Sequence, residues 1–296
     1  MNIGRTLAAC VFGGCLLANA AEPGAGILVD REGQVWFTDS VGGVWKISPR
    51  GEVSQAYKQG ALWLALDLDG RYAQSKPERY QRLTQKGVKP AMLSSISGPI
   101  AMCAEGEVFY AASNESGPLH ILRLMPNGDN FVVAKVPDNP QGQKLRKVNA
   151  IAVGLDDTVY IAGNHTIRKV TKSGEVSTVI GPLATLDDCG KVAGIPKKHR
   201  PYMKGLTVDS TGTIYVAATG CSNVLKVTPD GKMATALKGE EGWSPTGVAT
   251  YEKDLYILEY KNVGSGNKRE WTPRVRRLSA DGKVSVVGAV SATSRK

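Results

Sequence analysis

Asp39, Asn149, Lys204 and Glu259 are the side chains of this chain placed to do chemistry. Two carboxylates, an amine and an amide converging on one pocket could bind a cation, hold a polar ligand or move a proton. Each occupies a fixed place in a recurring phrase. Asn149 and Lys204 stand two residues before the apolar runs that begin at Ile151 and Leu206. Asp39 and Glu259 close the second apolar run of their phrases. Elsewhere the first of these places holds Ala25, Leu62, Gly98 or Thr246, and the second Ala112, Gly163 or Ala218. Aromatic residues cluster near the same places. Trp63 opens an apolar run, Tyr202 and Trp243 lie just ahead of two others, and Tyr260 and Trp271 bracket a long loop. Large rings in loops wall a ligand or pack a lid. Trp36 and Trp45 lie inside apolar runs and read as packing.

The elements that must position these residues are strands. ILVDREGQVWFTDSVGGVWKISPRGEVSQ from Ile27 recurs in kind from Ile100, from Ile151 and from Leu206. Each copy holds four short alternating segments separated by Gly, Asp, Asn or Pro turns. Weaker copies begin at Leu64, with a shortened second strand, and at Gly247, with a long loop between second and third strands. Four strands in a unit of about 40 residues is a propeller blade. The expectation is an all-β, six-bladed β-propeller with four-stranded antiparallel blades near 26–57, 62–93, 99–136, 149–181, 204–238 and 246–290. One blade cannot bury its own faces, so six must close a ring. The first strand of each then lines a central channel, and the polar residues above sit at its mouth, with Glu259 and Asp39 on adjacent blades. A pairing of Lys204 with Glu259 would instead make the set structural.

Residues 1–20 read as a secretory signal peptide: Arg5, an apolar run from Thr6 to Leu17, and Ala18-Asn19-Ala20 as the cleavage site. Leu7-Ala8-Ala9-Cys10 has the residues of a lipoprotein box, but Arg5 leaves no apolar run before it. Residues 21–296 form one domain on this reading, periplasmic or secreted, and no later run is long enough to span a bilayer. Export favours oxidised cysteines. Cys189 and Cys221 fall in loops that emerge on one face of a propeller, which predicts a disulfide, while Cys103 reads as buried and apolar. Two unpaired thiols are the alternative.

Without Arg5 the chain keeps 36 basic against 27 acidic residues, a net charge of +9. Basic residues gather at Lys197-Lys198-His199-Arg200 and over Lys268-Arg269, Arg274, Arg276 and Arg277. For an exported protein this favours anionic sugars or surfaces over nucleic acid. His120, His165 and His199 occupy inequivalent places, and no Gly-x-Ser-x-Gly elbow, P-loop or dinucleotide fingerprint stands in its required context.

The segments VDSTGTIYVAATGCSNVLKVTPDGK (208–232) and IAVGLDDTVYIAGNHTIRKVTKSGE (151–175) resemble the NHL-repeat and gluconolactonase-like propellers. The resemblance covers almost the whole chain after residue 20. It implies a scaffold shared by lactone hydrolases, lyases and non-enzymatic binding modules. The lactonases hold a divalent metal through a Glu, two Asn and an Asp at the heads of first strands. Only Asn149 matches that set; Lys204 stands where the family places its Asp, and Gly98 and Ala25 stand at two further heads.

Two functions follow. One is an exported propeller that binds a small polar or sugar-like ligand, or a protein partner, through Asn149, Lys204, Glu259 and Asp39, with Trp63 and Trp243 as walls. An anionic ligand suits Lys204. The other is a hydrolase or lyase acting on a lactone or sugar derivative, with calcium or magnesium as its cofactor and Glu259, Asp39 or Lys204 as catalytic candidates. Fold alone does not separate them.

Overall fold

The computed structural model describes residues 23–39, 41–67, 72, 80–85, 88–95, 98–113, 118–138, 148–181, 202–263 and 270–291. Six antiparallel sheets form a propeller ring. The inner strands are Ile27–Val29, Trp63–Asp67, Ile100–Met102, Ala150–Val153, Met203–Val208 and Trp243–Tyr251. Each touches the next around the ring, and blade six's touches blade one's. Among the described residues no strand is exchanged between blades, and each sheet is built from one continuous segment.

Turn chemistry explains the repeat. Asp30-x-x-Gly33 and Asp209-x-x-Gly212 join inner to second strands, with the glycine N–H donating to the aspartate carbonyl at 3.0 Å in each. The glycines lie at φ +76° and +80°, which a residue without Cβ adopts freely. The aspartate carboxylate caps the turn: Asp30 Oδ1 accepts the N–H of Glu32 and Gln34, and Asp209 Oδ1 those of Thr211 and Thr213. Cys103 fills this place in blade three, its sulfur accepting the Glu107 N–H at 3.4 Å. It is a free, buried thiol, as expected, and burial pushes its pKa up.

Alternating side chains face the two neighbouring blades, so the core lies in wedges between sheets. Val35, Phe37 and Trp45 of blade one pack on Tyr256, Leu258 and Tyr260 of blade six. Trp36 packs the other way, towards Leu64 and Met92 of blade two. Both tryptophans are therefore packing residues, as their strand positions imply.

Two expectations are corrected. Blade two does not keep the usual order with a short second strand. The long strand Val88–Ser95 pairs directly with the inner strand, and Gln81–Gln85 lies outside it. In this blade the last segment takes the second place, which a pattern search in chain order does not anticipate. In blade six the second and third strands run on into the expected loop. Asp254–Asn262 and Trp271–Leu278 stay paired out to Asn262 and Trp271, so the blade carries a long hairpin arm. Among the described residues the one helical element is a 3₁₀ turn, Thr219–Cys221.

Candidate functional site

The channel mouth is built by the residues heading the inner strands. In blades five and six the pairing slips between Met203 and Gly205 and between Pro245 and Gly247. Lys204 and Thr246 are therefore bulge residues, a device that re-aims a side chain without breaking the sheet. Blade four supplies Asn149, whose N–H donates to Ala162 O. All three are buried.

The Asn149 amide is fixed. Its Nδ2 donates to Asn164 Oδ1 at 2.8 Å and to Met203 O at 2.9 Å. A flip would lose both bonds. Among the described residues its Oδ1 is then left buried with no donor, and Thr246 Oγ1 is buried without a partner in the same way. Lys204, between them in ring order, is engaged with a neighbour. Thr246 was legible only as a small residue of the circle; its orphaned hydroxyl appears once the bulge is seen.

One step further along the strands the circle holds Gly26, Gly205 and Gly247, with Trp63 in the same place in blade two. A Cβ on Gly205 would lie 2.6 Å from Gly247 Cα, and one on Gly247 2.4 Å from Ala25 O. Backbones thus meet directly from blade five to blade one. Trp63 stands at this place in blade two. Its indole N–H reaches from blade two to Asn149 O in blade four at 3.2 Å. The Trp63 ring thus touches Asn149, the residue expected beside it. Below the mouth a cavity of about 310 Å³ runs between the inner strands, lined by aliphatic residues with Thr207, Thr250 and Cys103.

Glu259 and Asp39 belong to second strands: Glu259 pairs with Pro245, next to Thr246, and Asp39 pairs with Gly43. Residues 255, 257 and 259 face blade five, where Leu255 and Ile257 meet Ala217 and Val224. Asp39 shares the side of Val35 and Phe37 and faces blade six. The sheet of blade six therefore stands between the two carboxylates. Glu259 is wholly buried, and its partners are arginines: Arg274 Nε at 2.7 Å and Arg276 Nη2 at 2.5 Å. Asp39, also wholly buried, accepts the Val41 N–H in its own turn.

Trp243 lies against Arg274, whose guanidinium carbon is 4.0 Å from the ring centroid. It covers the ion-pair cluster between blades five and six. Tyr260 Oη donates to Thr38 O across the ring closure, and Trp271 packs against the blade-one cluster. Cys221 is buried and not free. Cys189, His199 and the basic run at 197–200 lie outside the described residues, as do residues 1–22.

A divalent ion of the lactonase kind does not fit the mouth. Asn149 Oδ1 is one suitable oxygen, but Ala25, Leu62 and Gly98 offer no side-chain ligand and Lys204 brings an ammonium. Among the described residues Cys103, Glu105 and Asp157 converge within 4.8 Å of one another, at the far end of the inner strands. There Asp157 is ion-paired to Lys172 at 2.7 Å.

The fold is a six-bladed propeller with Asn149, Lys204, Thr246 and Trp63 at the heads of its inner strands. Solved structures share this fold. A gluconolactonase from Xanthomonas campestris matches with TM-score 0.55 at 14% identity, covering 86% of this chain and 87% of that one. The calcium-binding protein regucalcin from Agrobacterium tumefaciens gives 0.53 at 15%, covering 80% and 81%. Virginiamycin B lyase from Staphylococcus aureus gives 0.51 at 16%, covering 88% and 83%. No protein-family model and no curated relative matches the sequence.

Proposed function

We propose that this is an exported propeller that binds a small polyhydroxylated ligand carrying a carboxylate or carbonyl at its channel mouth. One observation carries the reading: two buried oxygens without donors, Asn149 Oδ1 and Thr246 Oγ1, flank the buried Lys204 in ring order. Buried polar atoms are satisfied in native proteins by protein, water or ligand. Ligand hydroxyls suit the two oxygens, and an ammonium favours an anionic or carbonyl oxygen beside them. Trp63 supplies the flat apolar face that a sugar-like ring packs on. Export rests on the leader-like residues 1–20, and a Cys189–Cys221 disulfide fits that compartment.

Sugar acids and their lactones, screened against the purified chain by calorimetry in the presence of a chelator, test the reading. Binding should survive removal of metal. Lys204→Met should weaken it by about 1.5–3 kcal/mol, the range for a charge-assisted hydrogen bond, and leave the ring folded. Unchanged binding by Lys204→Met sinks the proposal. The second reading is a hydrolase or lyase on a cyclic ester, supported by the gluconolactonase and lyase that share the fold. Lys204 would then be its ionisable group at the mouth, since Glu259 is committed to arginines. Turnover of a lactone in the same screen would establish it.

A further inference from the structure

A cluster of charged side chains lies between blades five and six. Glu259 spends one oxygen on each of Arg274 and Arg276 and so neutralises one of two buried guanidiniums. The remaining positive charge is met by Glu240. Arg274 Nη1 lies 2.8 Å from its Oε2 and Arg276 Nη1 3.1 Å from its Oε1. Two donors on different residues therefore grip the two oxygens of one planar carboxylate, the geometry that recognises carboxylates generally. The Trp243 ring fixes the plane of Arg274 from one side.

Glu240 differs from every other member of the cluster. Its side chain is 53% exposed, where those of Arg274, Arg276 and Glu259 are 8%, 4% and 0% exposed. It sits between strands, in the Gly239–Gly242 connection, so it can leave by rotating its side chain alone. The receptor stays behind, buried and preformed. That receptor has donors to spare: Arg274 Nη2 and Arg276 Nε are buried without partners. Lys261, exposed and packed along Gly242, adds a cation at the rim.

The geometry points to a carboxylate-binding site formed by Arg274 and Arg276, in which Glu240 is a built-in occupant that the carboxylate of a small organic acid displaces. It does not depend on the reading of the mouth.

Carboxylate rescue tests it. Glu240→Ala, in the otherwise intact chain, should melt below the wild type in sodium chloride. Sodium acetate at the same ionic strength should restore the loss in a saturable way. Acetate should bind the variant at least tenfold more tightly than the wild type, because the internal competitor is gone. Glu240→Gln, which keeps the shape of the side chain, should show the same contrast and serves if the alanine variant folds poorly. Chloride acting as well as acetate would reduce the site to charge screening and overturn the proposal. So would equal acetate binding by wild type and variants. Phosphate rescuing as well as acetate would overturn the assignment to carboxylates.

Discussion

Glu259 and Lys204 are both buried ionisable residues. Glu259 is a structural anion, wholly buried against two nearly buried guanidiniums. Glu259→Gln should cost about 3–5 kcal/mol in urea unfolding, because it leaves buried charge uncompensated. The strand pattern placed Glu259 at the end of a second strand but could not name its partner. Arg274 and Arg276 read as members of an exposed basic run, since alternation fixes which side of a sheet a residue faces and not what waits there. Asn149 was legible from its place at a strand head, whereas the orphaned oxygen of Thr246 was not, because a one-residue bulge leaves no mark in apolar periodicity. Glu240 carries a pH signature. The Arg274 guanidinium holds its carboxyl below the ordinary carboxylate value. Its contribution is thus full above the unfolded carboxyl pKa near 4.5 and fades as pH falls through the lower folded value. Acid titrations of wild type and Glu240→Gln should accordingly converge at the acid end of that window and separate above it.

At the scale of elements, the blade phrase was legible because its turn chemistry repeats. Asp30, Cys103 and Asp209 start the same turn in three blades. Where the phrase decays, the sequence lost its grip. Blade two reorders its strands, and the arm of blade six extends the second and third strands to Asn262 and Trp271. The proposed Cys189–Cys221 bond belongs to this scale. It would close a loop of about 30 residues and tie the connection between blades four and five to a buried turn. Reduction of the periplasmically produced protein should lower its unfolding free energy by roughly 3 kcal/mol on the chain-entropy account. A thiol count unchanged by reductant would show that no such bond exists.

The whole molecule depends on how closely neighbouring inner strands approach. Gly247 is the tightest point of the closure, with Ala25 O and Ile27 Cγ2 at 2.4 and 2.9 Å from the position of an added Cβ. Gly247→Ala should cost about 1–3 kcal/mol through overpacking. Gly98, equally placed at a strand head but with nothing within 4 Å, should accept alanine with a change of about 0.5 kcal/mol or less. Chemical denaturation of the two variants compares them directly. The closure itself rests on side-by-side packing, on Val290 in the blade-one cluster and on the Tyr260–Thr38 hydrogen bond.

Because, among the described residues, no blade combines strands from both ends of the chain, the junction between blades six and one is, in kind, one more interblade contact. The order in which the blades are connected is then separable from the order in which they are packed. A circular permutant that joins residue 291 to residue 23 through a short flexible linker and opens between Pro229 and Gly231, an exposed turn, should fold to the same ring. Its ligand binding should match that of the parent, because the mouth is assembled from six strand heads whose positions do not depend on where the polypeptide starts.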